Sequence, residues 1–431
     1  CTPHLNYITL LIMGSIKEIQ TPNTVLRRDV DGLKALAILF ILIFHFKPQW
    51  LSGGFIGVDI FFVIAGYLTT TSICHKLTNK TFSLPRFYKD RAMRVLPPLA
   101  ILCAVLLSTG LIFLTVIDLS ALAKHVLGTL TFTSNFMYWL EAGYFDIRSQ
   151  TKWLLHSWYL SVLVQFYILY PLILIGCYKY LSSGQTKTLI LTGLVFGFFL
   201  SVFATHLWPT GSYYALPTRG WEFLAGAALY FFPLTAQKQR LKTFATVSGI
   251  VILLICAFTL TQNTAWPGAL TLIPVAATAL IIQMRHQSPP LIGIGILQMI
   301  GRRSYSIYLW HWPLAVLTFY TGLEEGWTYG AMLLSVIIGS LSFKYIESQK
   351  TVNNLTAILF ITIIQLVCGW LLITHASYGY TARTLAPITN KIKHSPYRDQ
   401  CHITQTHYVP PHKACTYPED NTPNWAIIGD S

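Results

Sequence analysis

Charged residues are scarce in this sequence. Asp, Glu, Lys and Arg make up only 11% of its 431 residues, whereas 53% are hydrophobic. A soluble domain carries about 25% charged residues, because it needs a solvated surface. This scarcity excludes a soluble globular domain and indicates a polytopic membrane protein, with the lipid bilayer as its main partner.

Acidic residues are the rarer of the two charge classes. The chain has 16 Asp and Glu against 30 Lys and Arg, which gives a formal net charge of +14. A basic excess also occurs in nucleic-acid-binding proteins. Here the basic residues fall in short loops between apolar segments, which is the positive-inside pattern of membrane proteins. We therefore expect no nucleic-acid partner.

Cysteine is sparse as well, with eight residues and no spacing typical of a metal site, so we expect no metal cofactor. Cys401 and Cys415 lie together in a polar tail, and a disulfide between them is expected if that tail lies outside the cytoplasm. The others lie in or beside apolar segments, where cysteine is usually a packing residue: Cys74, Cys103, Cys177, Cys256 and Cys368.

Long apolar segments dominate what is present, and they predict an all-α bundle of about eleven transmembrane helices. They lie at residues 33–46, 55–76, 95–117, 154–178, 188–205, 217–234, 243–260, 267–284, 305–320, 327–346 and 355–376. The segment 121–140 is too polar for a lipid-facing span. We predict that it is an extracytoplasmic re-entrant or surface helix.

Loop charge predicts the orientation of the bundle. The loop from His75 to Arg94, the run 238–242 and the loop from Arg285 to Arg303 are basic, which places them in the cytoplasm. They agree with one another only if 121–140 does not cross the membrane. The N-terminus is then cytoplasmic, and the tail after Ala376 is extracytoplasmic.

Four segments, in order along the chain, resemble the motifs of the acyltransferase-3 family of membrane-bound acyltransferases. They are Asp31 to Lys34 with His45, Gly53 to Leu68, His156 to Tyr167, and Ser304 to Pro313. The resemblance covers about residues 27–350 and implies a membrane domain that transfers an acyl group. Residues 351–376 would add one transmembrane helix after it.

The resemblance implies an Arg/Lys-x10-His motif, matched here by Lys34 and His45 as catalytic residues. Eleven residues apart, they share one helix face and lie about 16 Å apart along its axis. A neutral His45 would act as a general base on a hydroxyl or as a nucleophile that carries the acyl group. Lys34 suits donor phosphates or the donor carbonyl. The structural alternative is a histidine packed against a neighbouring helix.

Arginines before the third apolar segment are candidates for binding the donor. Arg86, Arg91 and Arg94 lie on the predicted cytoplasmic side, and the last two are three residues apart, on one helix face. Guanidinium groups suit the phosphates of a CoA donor, so we expect acetyl-CoA or another acyl-CoA. The alternative is that these are plain positive-inside charges.

Other polar and aromatic residues are candidates for the substrate path. Arg219 and Glu222 are three residues apart and are predicted to form an ion pair, whose role is structural or catalytic. Asp59 is a candidate partner of Lys34 or His45. The remaining candidates share positions in family motifs, where interfacial aromatic belts are the alternative reading: His156, Trp158, Gln165 and His311.

One family motif is altered in this chain. The family usually has Ser-Val-Glu-Glu-Gln where residues 161–165 read Ser-Val-Leu-Val-Gln. Leu163 and Val164 thus replace both acidic positions. If either carboxylate moves a proton or holds a cation, the chain is an inactive remnant.

The ends of the chain carry separate expectations. Residues 1–26 are a lead-in, with a misassigned start before Met13, and residues 377–424 are a periplasmic linker. Residues 425–431 end in Gly-Asp-Ser, which is similar to the first block of an SGNH-hydrolase-like domain, truncated here. Ser431 would be its nucleophile, but without His and Asp partners we expect no chemistry from it.

The predicted function follows from the resemblance. It implies a bacterial inner-membrane O-acyltransferase that moves an acetyl group from cytoplasmic acyl-CoA to a hydroxyl of an extracytoplasmic glycan or lipid-linked saccharide. The SGNH-fused branch of the family modifies lipopolysaccharide O-antigen and other surface glycans. Two alternatives stay open: a transporter, whose path the ionisable residues would line, and a truncated inactive remnant.

Overall fold

The chain is described by a computed structural model over residues 27–142, 149–234, 238–322, 325–349 and 354–373. Within these ranges it contains fifteen α-helices and no strand, in agreement with the all-α prediction. The predictions for the lead-in 1–26, the linker 377–424, Cys401, Cys415 and Ser431 lie outside the described residues.

The helices are numbered here in chain order. The first five are α1 (Arg28–Phe46), α2 (Gly57–Thr78), α3 (Leu84–Phe113), α4 (Val116–Leu130) and α5 (Ser134–Glu141). The next five are α6 (Ser157–Tyr180), α7 (Ser183–Leu207), α8 (Pro209–Tyr214), α9 (Leu216–Phe231) and α10 (Gln239–Thr259). The last five are α11 (Leu272–Met284), α12 (Gly295–Arg302), α13 (Ser304–Thr321), α14 (Glu325–Ser342) and α15 (Asn354–Ile373).

Among the residues that the structure describes, six helical segments are long and apolar enough to cross a membrane, so the protein is a multi-pass membrane protein. They are Gly54–Thr78, Leu84–Phe113, Ser157–Tyr180, Ser183–Leu207, Gln239–Thr259 and Gly326–Glu347. Two further apolar helices, Ala269–Met284 and Leu359–Leu372, are shorter. The prediction of about eleven crossings is therefore not confirmed, because several predicted segments are shorter or more charged than a simple span.

The polar segment 121–140 forms two helices, α4 and α5, rather than one continuous span. Its polar side chains bond to the first turns of α6. The hydroxyls of Thr129 and Ser157 lie 2.8 Å apart, and those of Ser134 and Ser161 lie 2.7 Å apart. A polar group removed from water needs such a partner. The polar side chains that argued against a lipid-facing helix thus form hydrogen bonds inside the protein.

Glu141, at the end of α5, joins this pair of helices to the chain before α6. Its carboxylate lies 2.8 Å from the Lys124 ammonium, 3.0 Å from the His125 ring and 3.3 Å from the Lys152 ammonium. Burial opposes ionisation, but the hydrogen bonds from His125 and Lys124 lower the pKa of Glu141 to about 2. The carboxylate is therefore charged at neutral pH.

Helix α3 begins earlier than predicted, at Leu84 rather than at residue 95. Pro85 lies in its first turn, where a missing backbone N–H costs nothing. Arg86, Arg91 and Arg94 accordingly lie on the helix and not in a loop before it. The start of the apolar run placed the beginning of α3 too late, because the first turns of this helix are amphipathic.

Helices α2 and α9 pack together through glycines. A Cβ added at Gly66 would overlap the carbonyl oxygen of Phe223, and one added at Gly226 would overlap that of Val63. Only small residues permit two helix backbones to approach so closely. This crossing sets the position of every side chain that α2 and α9 contribute to the interior.

Replacing Gly226 with alanine tests the crossing. Although alanine favours helix, we expect Gly226→Ala to lower the free energy of unfolding by about 1–3 kcal/mol, because the added methyl group overpacks the contact. Gly220 is the matched control on the same helix, since a Cβ there meets no atom within 4 Å. Gly220→Ala should be neutral or stabilising by up to about 1 kcal/mol. Unfolding in detergent measures both, and equal effects would contradict the close crossing.

Candidate active site

A cavity of about 510 Å³ lies beside the C-terminal end of α1, and we name it the histidine cavity. Its walls come from helices distant in the sequence. They include His45, His156, Trp158, Tyr213, Tyr308 and Trp312. The structure therefore brings together His45, His156 and Trp158, three of the residues predicted for catalysis or the substrate path.

His45 is hydrogen-bonded to His311, the histidine of the fourth motif segment. The Nδ1 atom of His45 lies 3.0 Å from Nε2 of His311, and the two rings are stacked with centroids 5.1 Å apart. Nδ1 of His311 lies 2.5 Å from the carbonyl oxygen of Tyr308. A carbonyl only accepts, so His311 donates from Nδ1 and accepts from His45 at Nε2.

This chain of hydrogen bonds determines the tautomer of a neutral His45. With its Nδ1–H donated to His311, its Nε2 atom carries the free lone pair. A base whose orientation is held by a third group is the arrangement of catalytic triads. His311 is fully buried and does not line the cavity, so a ligand in the cavity would meet His45 and not His311. The general-base role predicted for His45 is geometrically feasible.

A second, smaller cavity of about 130 Å³ lies near the N-terminal end of α1, and we name it the arginine cavity. Lys34, Arg91 and Arg94 all line it, together with Tyr159, Leu163, Ser304, Tyr305 and Tyr308. Arg86 is exposed and does not line it. The structure thus joins Lys34 with two of the three predicted donor-binding arginines and leaves the third aside.

The three cations of the arginine cavity differ in their partners. The ammonium of Lys34 lies 3.1 Å from Asp31, and Nε of Arg94 lies 3.7 Å from Glu347. The guanidinium of Arg91 instead lies over the rings of Phe87 and Tyr167, and no acidic residue in the described part of the chain pairs with it. The cavity consequently keeps a net positive charge that suits an anionic ligand.

Asp59 pairs with neither Lys34 nor His45, which corrects the expectation for this residue. Its carboxylate lies 2.9 Å from Nη1 of Arg219, and the same nitrogen lies 3.1 Å from Glu222. The predicted Arg219–Glu222 ion pair is therefore present, and it includes Asp59. All three side chains are fully buried. The glycine crossing of α2 and α9 brings Asp59 and Arg219 together, and no local sequence pattern indicated this pairing.

The buried Asp59–Arg219–Glu222 cluster supports the wall of the histidine cavity without lining it. The guanidinium of Arg219 lies 5.0 Å from the ring centroid of Tyr213 and 5.7 Å from that of Trp158. Gln165 is likewise outside both cavities. Its Nε2 donates to Asn135 at 2.9 Å, which ties α6 to α5. Both sets of residues hold the site in shape.

Leu163 lines the arginine cavity, whereas Val164 does not. Of the two altered positions of the family motif, only the first therefore faces the cations. A carboxylate at residue 163 would lie beside Lys34, Arg91 and Arg94 and offset their charge. Leucine leaves the cavity more positive.

Tyr308 separates the two cavities. It lines both of them, is 4% exposed, and donates from its hydroxyl to the carbonyl oxygen of His156 at 2.7 Å. The same helices line the two cavities in succession, as shown by the pairs Lys34 and His45, Phe61 and Val58, Leu163 and Trp158, and Ser304 and Trp312. The sequence prediction missed Tyr308, although its place one turn before His311 in the fourth motif was a usable signal.

Comparison with known proteins identifies a family and several relatives. The family model described as an acyltransferase domain, acyltransferase-3, matches residues 27–374. Peptidoglycan O-acetyltransferase OatA of Listeria monocytogenes is 30% identical over 350 residues, which cover 76% of this chain and 56% of that protein. O-acetyltransferase OatA of Staphylococcus aureus is 29% identical over 356 residues, which cover 77% and 58%.

A protein of Komagataeibacter xylinus with the provisional name membrane-bound transacylase BcsY is 30% identical over 332 residues, which cover 74% of this chain and 82% of that protein. The chain thus spans little more than half the length of the two O-acetyltransferases that it matches. No solved structure matches it significantly.

Removing the ring of Tyr308 should join the two cavities. Thr69→Cys places a thiol in the arginine cavity and Thr318→Cys places one in the histidine cavity. With the eight native cysteines replaced, we expect a charged thiol reagent to label each reporter from one face only of sealed, uniformly oriented vesicles. Adding Tyr308→Ala should allow labelling from both faces.

Tyr308→Phe is the matched control for this experiment. It keeps the ring and loses only the hydrogen bond to His156, so labelling should stay one-sided. One-sided labelling in the Tyr308→Ala variant would show that another group separates the cavities.

Proposed function

The chain belongs to the acyltransferase-3 family, and from this membership we propose that it is a membrane O-acetyltransferase. Its donor is an acyl-CoA, with acetyl-CoA as the first choice. Its acceptor is a hydroxyl group of an extracytoplasmic glycan or lipid-linked saccharide. The names of the two O-acetyltransferases among its relatives support the reaction type.

The observation that carries this proposal is the succession of two cavities along α1. Cationic groups line the cavity that contains Lys34, and an oriented histidine lines the cavity that contains His45. A CoA thioester has the matching shape, because its phosphates lie at one end and its acyl group at the other. Tyr308 lies between the two cavities, so in this proposal its side chain moves aside when the pantetheine arm of the donor reaches toward His45. The motif spacing of about 16 Å separates the two ends of the site.

Each end of the site has a distinct task. Arg91, Arg94 and Lys34 bind the donor phosphates through charge-assisted hydrogen bonds. His45 accepts the proton of the acceptor hydroxyl at Nε2, and the resulting nucleophile attacks the thioester carbonyl. Trp158, Tyr213 and Trp312 offer the flat apolar faces on which sugar rings stack.

The proposed setting is the inner membrane of a bacterium. The basic loops favour a cytoplasmic N-terminus, which places Lys34 on the donor side and His45 on the acceptor side. The acceptor is then a surface glycan, such as lipopolysaccharide O-antigen or another surface polysaccharide. Peptidoglycan, which the name of the Listeria relative specifies, is a glycan of the same chemical class.

The altered motif at Leu163 is compatible with activity in this proposal. A positive arginine cavity still attracts phosphates, and neither Leu163 nor Val164 lines the histidine cavity. The remnant alternative therefore depends on whether the missing carboxylates move protons. A measured rate for the unaltered chain decides the question.

His45→Ala should abolish the proposed reaction. General-base catalysis contributes about 10²- to 10⁴-fold, so we expect the rate to fall at least a hundred-fold. Proteoliposomes loaded with acetyl-labelled acetyl-CoA and supplied outside with a soluble oligosaccharide provide the measurement, as labelled ester and free thiol. His75→Ala is the matched control, because His75 is exposed and lines neither cavity.

Three outcomes would contradict the proposal. A His45→Ala variant with the full rate would exclude His45 as the base. Movement of the oligosaccharide across the membrane without release of thiol would favour the transporter. No transfer by the unaltered chain, together with transfer after Leu163→Glu and Val164→Glu are introduced, would favour the remnant.

Arg91→Gln and Arg94→Gln should each raise the KM for acetyl-CoA about ten-fold or more. The reason is the loss of a charge-assisted hydrogen bond to phosphate, which contributes about 1.5–3 kcal/mol. Arg86→Gln is the matched control and should stay within two-fold of the unaltered protein. Higher ionic strength should weaken acetyl-CoA binding in the unaltered protein.

The truncated donor S-acetyl-pantetheine identifies the group that the arginines recognise. It has the thioester but no phosphate, so both arginine variants should use it as well as the unaltered protein does. An equal loss with both donors would show that the arginines support the fold and do not bind phosphate.

A further inference from the structure

His156 lines the histidine cavity with both of its ring nitrogens unpaired. The residue is 3% exposed, and neither Nδ1 nor Nε2 makes a hydrogen bond of good geometry to a described residue, although the backbone of Leu309 lies near the ring. A neutral imidazole always has one N–H donor and one acceptor nitrogen. Leaving both unsatisfied inside a protein costs the desolvation of each group, and native structures rarely do so without a functional reason.

The ring of His156 is nevertheless held firmly. The hydroxyl of Tyr308 donates to the carbonyl oxygen of His156 at 2.7 Å. The ring centroid of His156 lies 5.3 Å from that of Tyr308, 6.4 Å from that of Trp312 and 5.8 Å from that of His311. Packing therefore positions the ring, while its nitrogens stay available to a ligand in the cavity.

Three of the neighbouring polar groups are already committed. The Tyr308 hydroxyl is used by His156, and Nε1 of Trp312 donates to the carbonyl oxygen of Lys152 at 2.8 Å. His45 has donated its own N–H to His311, which leaves it an acceptor toward the cavity. Of these groups around the motif histidines, His156 is the one with a free N–H.

We propose that His156 is a second catalytic residue, which donates its N–H to the carbonyl oxygen of the acyl thioester while His45 takes the proton of the acceptor hydroxyl. This inference rests on the proposed function and adds to it the group that polarises the thioester carbonyl. A neutral histidine is suited to this task, because it polarises a carbonyl without bringing a full charge into an apolar site.

The bonds and protons balance in this scheme. The hydroxyl oxygen gives its proton to Nε2 of His45 and forms a bond to the carbonyl carbon. The electron pair of the C=O double bond moves to oxygen, which accepts the hydrogen bond from His156. When the carbonyl re-forms, the C–S bond breaks, and the leaving thiolate takes the proton from His45.

Two substitutions at this position test the proposal. His156→Leu removes the N–H, and we expect kcat for acetyl transfer to fall about a hundred-fold, as when one oxyanion donor is lost. The KM for acetyl-CoA should change less than three-fold, because the bond strengthens only in the transition state. His156→Gln restores an N–H donor and should recover at least ten-fold of the lost rate.

Thermal unfolding in detergent separates catalysis from structure. No protein partner is lost in His156→Leu, so its unfolding temperature should equal or exceed that of the unaltered protein. Loss of rate with unchanged or higher stability supports the proposal. A His156→Leu variant within three-fold of the original kcat would overturn it.

Two other results would also overturn it. One is a parallel fall and recovery of rate and unfolding temperature in the leucine and glutamine variants, which would identify a structural residue. The other is the absence of acetyl transfer by the unaltered chain, which would end the proposed function as well. Activity of the unaltered chain together with an active leucine variant would end the role of His156 alone.

Discussion

The hydrogen bond between His45 and His311 is the interaction on which the site depends. It joins α1 to α13 inside an apolar bundle, where a polar group without a partner is costly. The carbonyl of Tyr308 fixes the proton on His311, and this in turn fixes the proton on His45. One backbone carbonyl thus determines which nitrogen of a neutral His45 keeps a free lone pair.

A charged group inside an apolar bundle also needs a partner, and Arg219 and Arg91 meet this need in different ways. Arg219 is enclosed by two carboxylates and two aromatic rings, and no member of its cluster lines the histidine cavity or the arginine cavity. Arg91 rests on aromatic rings without an acidic partner in the described residues, and it does line one. Both are arginines of apolar helices, but only the second has charge available to a ligand. His156 is a neutral side chain that, like Arg91, lines a cavity and is available to a ligand.

Much of the fold was predictable because apolar run length and helical periodicity are local properties. The second helix was predicted close to its observed bounds, and the end of the first was predicted at the observed residue, Phe46. The polar segment 121–140, predicted to be a re-entrant or surface helix, forms parts of two helices whose polar side chains bond inside the protein. The start of α3 was placed too late, since its first turns are amphipathic and carry the arginines. The number of crossings was not settled by run length, because short and charged helices also lie inside the bundle.

The sequence by itself determined the class of protein, the family and the residues able to carry chemistry, because composition and motif spacing are written along the chain. Lys34 and His45 share a helix face wherever that helix packs. Only the tertiary structure decided which residues meet. The glycine crossing brings Asp59 into an ion pair with Arg219. The packing of α13 places Tyr308 between the cavities, and His156, just before α6, lines the histidine cavity. These contacts join segments far apart in the chain, and no local pattern encodes them.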